Sequence, residues 1–456
     1  MAQVSQTREL LMQMLLSVSQ EEHYSHLVLR DTLEKYQFLP KKDRAFITRV
    51  FEGTIENRIK IDYWIDQVSS VKVNKMKPVI RNIMRMGVYQ IVYMDSVPDS
   101  AACNEAVKLA QKKGFFSLKG FVNGVLRNIS RIKDDLPLPP KNMPKAYLSV
   151  CYSTPEWLVD KWIRAYGEET TETMLRDFLE ERPTTVRLRT FATNTEQTEK
   201  LLKDDGVTVT KAPYVEAARY IEGYDYVPGL TAFREGRIQV QDVSSMLVSI
   251  CADPQKGAAV LDLCAAPGGK SLHMADLLQG TGSVEARDLT DYQVELIRQN
   301  IERSGAINIE AVRHDATVFD RRLEEKYDIV LADVPCSGLG VIGKKTDIKY
   351  RMDPEKIREL VQLQRQILHN AASYVKPGGI LMFSTCTVCE EENQQNVAWL
   401  TSHYPLHTES LDKWLPEELC SGETKNGMLQ LLPGVHKADG FFLARLKKED
   451  DHGMGL

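Results

Sequence analysis

The chain of 456 residues has no apolar run longer than a strand. Stretches such as Gly379-Ile380-Leu381-Met382-Phe383 fall far short of the roughly 20 residues that cross a bilayer. The start, Met1 to Glu9, lacks a basic region followed by an apolar stretch, so no membrane partner is expected and the protein reads as cytoplasmic. The 8 cysteines are scattered without secreted-type spacing, which argues against a disulfide framework and for reduced thiols. Cys386 and Cys389 form a CxxC. Zinc or redox chemistry would want a second Cys or His pair or a thioredoxin-like setting, neither is present, and Cys389 reads as incidental. Internal repeats and low-complexity tracts are also missing.

Net charge is −5, but unevenly spread. Residues 1–145 hold 23 Lys+Arg against 15 Asp+Glu, leaving 35 against 48 for the remainder. A basic segment on an acidic enzyme suits a polyanion such as RNA. Residues 7–133 carry apolar side chains at helical spacing, as in Leu10, Leu11, Met14, Leu15, Val18 and again Val79, Ile83, Met86, Val88, Ile91, and a proline-rich linker follows at 136–144. Short mixed elements fill 146–235, including a strand over Thr184–Arg189, a helix over Thr195–Asp204 and a strand over Val207–Val209. Arg187 and Arg189 share a strand face that suits either phosphates or solvent. From 236 onward strands and helices alternate, which predicts a doubly wound parallel sheet closed by an antiparallel hairpin, 428–432 with 440–446. Three domains are expected: a helical one over 1–140, a small α+β one over 146–235 and an α/β one over 236–449.

The chemistry clusters at strand ends of the third domain, where α/β sheets place their ligands. Cys264-Ala265-Ala266-Pro267-Gly268-Gly269-Lys270-Ser271 runs from a strand into a helix. It is a near miss to the P-loop, with Cys264 where the first glycine belongs, and its adjacent glycines do not make the dinucleotide cradle. S-adenosyl-L-methionine remains. Asp288, after the next strand, suits its ribose hydroxyls, and Asp315, after the third, its adenine amino group; Asp333 follows the fourth. A lone aspartate there is often only a helix cap, but three at successive strand ends are harder to set aside.

Asp262–Lys270 (Asp-Leu-Cys-Ala-Ala-Pro-Gly-Gly-Lys), Asp333-Val334-Pro335-Cys336-Ser337-Gly338 and Ser384-Thr385-Cys386-Thr387 closely resemble the motifs of the NOL1/NOP2/Sun family of RNA cytosine-C5 methyltransferases. Phe233–Gly236 and Gln241–Ser245 resemble that family's entry to its catalytic domain. The segments Asn104–Ala110 and Gly120–Asn128 are similar to the NusB-like RNA-binding domain of its RsmB-type subgroup, which acts on small-subunit rRNA. The resemblance implies an all-α NusB-like domain, a small α+β domain and a Rossmann-like S-adenosyl-L-methionine-dependent methyltransferase domain. It further implies RNA as partner, a 16S rRNA target of the cytosine 967 type and a monomer. Val334 stands where the family more often has alanine, and Gly343–Lys349 lacks the family's usual arginine and proline.

Cytosine C5 is a poor nucleophile until a thiolate adds at C6, and cysteine is the side chain suited to that addition. Chemistry alone leaves Cys386 and Cys336 equivalent; the resemblance implies Cys386 as nucleophile and Cys336 as the residue that assists release. Asp333 is placed to bind the exocyclic amine or protonated N3 of cytosine, and Lys344, Lys345 and Lys349 to meet nearby phosphates, unless they merely form a solvated loop. Two alternatives stay open: the same chemistry on another rRNA or tRNA site, and a non-catalytic RNA-binding or antitermination-like factor.

Overall fold

The computed structural model describes residues 2–21, 23–191 and 193–450. It divides into two compact units, Met1–Glu180 with Ile342–Arg351, and Glu181–Val341 with Met352–Leu456. In the first unit seven helices, Ala2–Gln20, Ser25–Lys35, Lys41–Glu56, Arg58–Val68, Pro78–Tyr93, Asp99–Lys112 and Lys119–Ile132, bury the apolar stripes read from the sequence, with Leu11, Met14, Ile83, Met86 and Val88 inside, and Ile47, Phe51 and Leu126 join them. A Cβ on Gly53 would lie 2.1 Å from the Tyr89 ring, so only glycine lets these helices approach so closely. The linker is fastened where the indole of Trp64 donates to the Pro137 carbonyl, at 3.0 Å.

That linker is not where compactness breaks. Three more helices follow, Pro144–Cys151, Glu156–Tyr166 and Glu168–Asp177, and belong to the first unit. They do so because Leu158, Val159, Trp162, Met174 and Leu175 form a buried stripe, with Trp162 against Phe178. The same unit takes in Ile342–Arg351, a segment expected to be a solvated or phosphate-binding loop. Asp347 accepts from the Ser25 N–H (3.1 Å) and hydroxyl (2.6 Å), and Arg58 lies 3.6 Å over the Tyr350 ring. Lys349 is only 1% exposed and donates to the Glu56 carbonyl at 3.0 Å, so it is no phosphate ligand; Lys344 and Lys345 are exposed as expected.

The second unit holds two sheets. In the small one β1 (Thr184–Leu188), β2 (Thr208–Lys211), β3 (Ala218–Glu222) and β4 (Ile238–Val240) pair antiparallel in the order β2-β3-β1-β4. Arg187 and Arg189 meet neither solvent nor phosphate there. Both are buried on Asp276, at 2.7 Å each, where β1 and the residue just past its end meet the helix Gly269–Leu277. The large sheet comprises β5 (Ala259–Asp262), β6 (Ser283–Asp288), β7 (Ile309–Arg313), β8 (Tyr327–Asp333), β9 (Val375–Thr385), β10 (Leu406–Thr408), β11 (Met428–Leu431) and β12 (Phe441–Lys448). Its order is β7-β6-β5-β8-β9-β12-β10, with β11 also on β12. Strands β5 to β9 are parallel, and β12 runs antiparallel between β9 on one side and β10 and β11 on the other. Chain direction across the sheet reverses between β5 and β8, so the crevice opens at their carboxyl ends. The short β10 is an edge strand that the sequence pattern does not announce.

Candidate active site

Four of the five parallel strands end in an aspartate or just before one, and a pair of cysteines closes the same edge. At the end of β5, Asp262 is 1% exposed. Its Oδ2 accepts from the Ser271 hydroxyl at 2.6 Å, while Oδ1 is buried with no hydrogen bond. Burial pushes this carboxyl up to about 7, against the pull of Ser271 and Lys270. The turn that follows reverses the chain at Gly268, whose φ of +101° suits glycine. Asp288, at the end of β6, reaches across to this turn: its Oδ2 accepts from the Ala266 N–H and its Oδ1 from the Leu289 N–H, both at 2.8 Å. Cys264 lies within the ring of carboxylates. Burial first, then Asp262, Asp288, Asp333 and Asp315, drives its thiol well above the ordinary range. The thiol therefore stays protonated and packs, with Ala265, as wall of the turn.

Asp333, ending β8, is held from two sides, by Lys270 Nζ at 2.5 Å and by the Ser384 hydroxyl at 2.7 Å. Burial works against the charge of Lys270, but Asp333, then Asp262 and Cys386, outweigh it and raise the ammonium above its usual range. Lys270 is thus a fixed cation at this edge. It also lies 5.5 Å from the Phe441 ring. Asp315 follows β7 and is exposed; its Oδ1 accepts from the Thr317 N–H and hydroxyl, so it pins its own turn.

The two thiols meet. Cys336, three residues past β8, and Cys386, one past β9, place their sulfurs 3.3 Å apart. The hydrogen bond to Cys386, followed by burial, pushes the Cys336 thiol well above the ordinary range. Their loops touch backbone to backbone. Gly340 N–H donates to the Cys386 carbonyl at 3.0 Å, and Gly440 N–H to the Gly340 carbonyl at 2.9 Å; a Cβ on Gly340 would lie 1.9 Å from the Gly440 oxygen. Cys389 is buried, its thiol donating to Glu391 at 3.1 Å, and no group of three or more metal-ligating side chains occurs among the described residues.

Two participants were not anticipated as site residues. Ser384 orients Asp333, and Glu392, fully buried, accepts from the Ser337 N–H at 2.8 Å, the Ser337 hydroxyl and the Gln364 amide at 2.9 Å. In the sequence Glu392 ends the run Glu390-Glu391-Glu392 ahead of a helix, where acidic residues ordinarily serve the helix dipole.

The chain matches three family models in succession: the NusB family over residues 5–131, the RsmF/B-like methyltransferase ferredoxin-like domain over 154–224, and the 16S rRNA methyltransferase RsmB/F over 249–447. The order of the small sheet agrees with the second of these. The chain is 35% identical to the probable ribosomal RNA small subunit methyltransferase B of Bacillus subtilis (strain 168), across 97% of this chain and 98% of the relative. It is 31% identical to that of Synechocystis sp., across 97% and 99%. Among solved structures, PH0851 superposes with a TM-score of 0.81 at 28% identity, across 97% of this chain and 98% of its own.

Proposed function

The chain belongs to the ribosomal RNA small subunit methyltransferase B family, and on that premise we propose that it transfers a methyl group from S-adenosyl-L-methionine to C5 of a cytosine in 16S rRNA, at a site of the cytosine 967 type, through a covalent adduct on Cys386. The observation that carries this reading is the pair of thiols 3.3 Å apart beside the Lys270–Asp333 ion pair.

The residues present fit the cofactor. The Asp288 and Asp333 carboxylates and the buried Asp262 oxygen without a hydrogen bond gather acidic groups around the turn. That field suits an ammonium and a sulfonium and opposes the phosphates of a nucleotide. Cys264, Ala265, Ala266, Pro267, Gly268 and Gly269 would wall the methionine moiety, Asp288 would accept from the ribose hydroxyls, and Asp315 from the adenine amine. When bound, this cofactor supplies an electrophilic methyl group.

The side chains of the chain supply the rest. Cys386, made thiolate in the reach of Lys270 and given a hydrogen bond by Cys336, adds to C6 of a cytosine extruded from its stack. Asp333, aimed by Lys270 and Ser384, accepts from the exocyclic amine or the protonated N3, which favours cytosine over uracil. Cys336 assists after the attack, as the C5 proton passes to a solvent base and the C6–S bonding pair returns to the Cys386 sulfur. An intact thiol pair and ion pair also speak against a degenerate, purely RNA-binding factor. Bisulfite sequencing of rRNA and tRNA from a deletion strain tests the reading: loss of one 5-methylcytosine in 16S rRNA is expected. Loss confined to tRNA would move the substrate, and no loss anywhere would refute the activity.

A further inference from the structure

A buried polar network lies directly behind the thiol pair, and the proposed chemistry makes no use of it. Glu392, Asn393, Asn396 and Gln364 are each completely buried, as are Thr385 and Thr387, and Ser337 is 2% exposed. Filling such a volume with side chains that must all be satisfied is costly unless their geometry serves something. At its centre is the Glu392 carboxylate. Its donors are neutral: the Ser337 N–H and hydroxyl on one loop, and the Gln364 amide on the helix Pro354–Tyr374. Gln364 also donates to the Pro335 carbonyl at 3.0 Å, immediately before Cys336. The Ser337 hydroxyl in turn lies 2.8 Å from the Thr387 hydroxyl.

The chain positions matter. Ser337 is the residue after Cys336, and Thr387 is the residue after Cys386. One carboxylate therefore grips the backbone beside one thiol and, through a single hydroxyl, the side chain beside the other. Asn393, the next residue, takes the far side of the second loop: its amide donates to the Thr387 carbonyl at 3.1 Å, and its carbonyl accepts from the Thr385 hydroxyl at 2.5 Å.

We propose that Glu392 is a positioning residue that sets the separation of the Cys336 and Cys386 sulfurs. It touches neither cofactor nor base in this account and acts through Ser337 and Thr387. The inference rests on the reading of these cysteines as the reacting pair, so its test does not depend on methylation.

Phenylarsine oxide supplies that test, because its As=O group condenses with two thiols to give two As–S bonds and one water only when both sulfurs lie side by side. In the full-length protein carrying Cys389→Ser, which removes the neighbouring CxxC thiol, one equivalent should be captured, and Cys336→Ala should abolish that capture. Adding Glu392→Ala should weaken capture by about tenfold or more, with cofactor affinity kept within about twofold, since the defect is a local misplacement. Glu392→Gln keeps an acceptor oxygen and the side-chain shape and should retain most of the capture. Undiminished capture in Glu392→Ala would overturn the proposal, as would a loss of capture and cofactor affinity together in both variants, which would make the carboxylate a general support of the fold. Failure of the cysteine chemistry itself would appear separately, as full methylation by Cys386→Ala with arsenical capture by the parent protein unchanged.

Discussion

The helix Gly269–Leu277 carries a cation in its first turn, Lys270, and an anion in its last, Asp276, the reverse of what the helix dipole favours at either end. Asp276 is buried and Lys270 partly so, and both are compensated from outside the helix, yet the two ends differ in kind. Asp276 receives two guanidiniums, Arg187 and Arg189, with several hydrogen bonds and no room left for a substrate. Lys270 has one carboxylate, Asp333, which is itself 27% exposed and turned toward a crevice with two thiols. Saturated charge at one end fastens the small sheet to the large one. Charge with one face open at the other end is available for chemistry. A buried ion pair is therefore read by its leftover capacity, not by its burial.

Substitutions can break that contrast. Asp276→Ala would strand two buried arginines and should cost about 3–5 kcal/mol of stability. Denaturant unfolding would measure it, with cofactor affinity of the folded protein unchanged; a cost below about 1 kcal/mol would mean the cluster is not structural. Lys270→Met should do the opposite, lowering the methyl-transfer rate about 100-fold by freeing Asp333 and removing the cation near Cys386, with a smaller stability loss than Asp276→Ala. Single-turnover assays beside melting curves separate the two. Asp288→Ala removes a buried acceptor and should weaken cofactor binding by about 1–3 kcal/mol, by calorimetry; unchanged affinity would remove Asp288 from the site.

The smallest expected effect concerns a third buried charge, one with no ionic partner in its hydrogen bonding. Burial lowers Lys349 to about 7 from 10.5. Between these pH values the unfolded chain holds a proton that the folded chain has given up, so this lysine makes stability rise with pH across that window. Lys349→Met should flatten the rise and leave the salt dependence of RNA binding untouched. A weakened salt slope would restore Lys349 as a phosphate ligand.

These residues also mark what was legible in the sequence. The succession of parallel strands along the chain and the turn at Cys264–Lys270 are written in apolar runs bounded by motifs, and the strand-end aspartates and both cysteines fall where those runs stop. Arg187, Arg189 and Lys349 misled because burial of a charge depends on a partner distant in sequence, Asp276 or the Glu56 carbonyl, and no local pattern announces it. Glu392 was hidden by its neighbours, since an acidic run before a helix has an ordinary explanation. The helices over 144–177 were masked by the proline linker, a strong stop signal that ends a helix without ending a compact unit.

The proposed order in which the two thiols act can be read by trapping RNA on a denaturing gel. Cys386→Ala should yield neither methylated RNA nor a covalent complex, Cys336→Ala should methylate and then remain linked to its RNA, and the double variant should show no linked band. A linked band from Cys386→Ala with an empty lane from Cys336→Ala would exchange the two roles, and full activity in both single variants would contradict cysteine catalysis altogether.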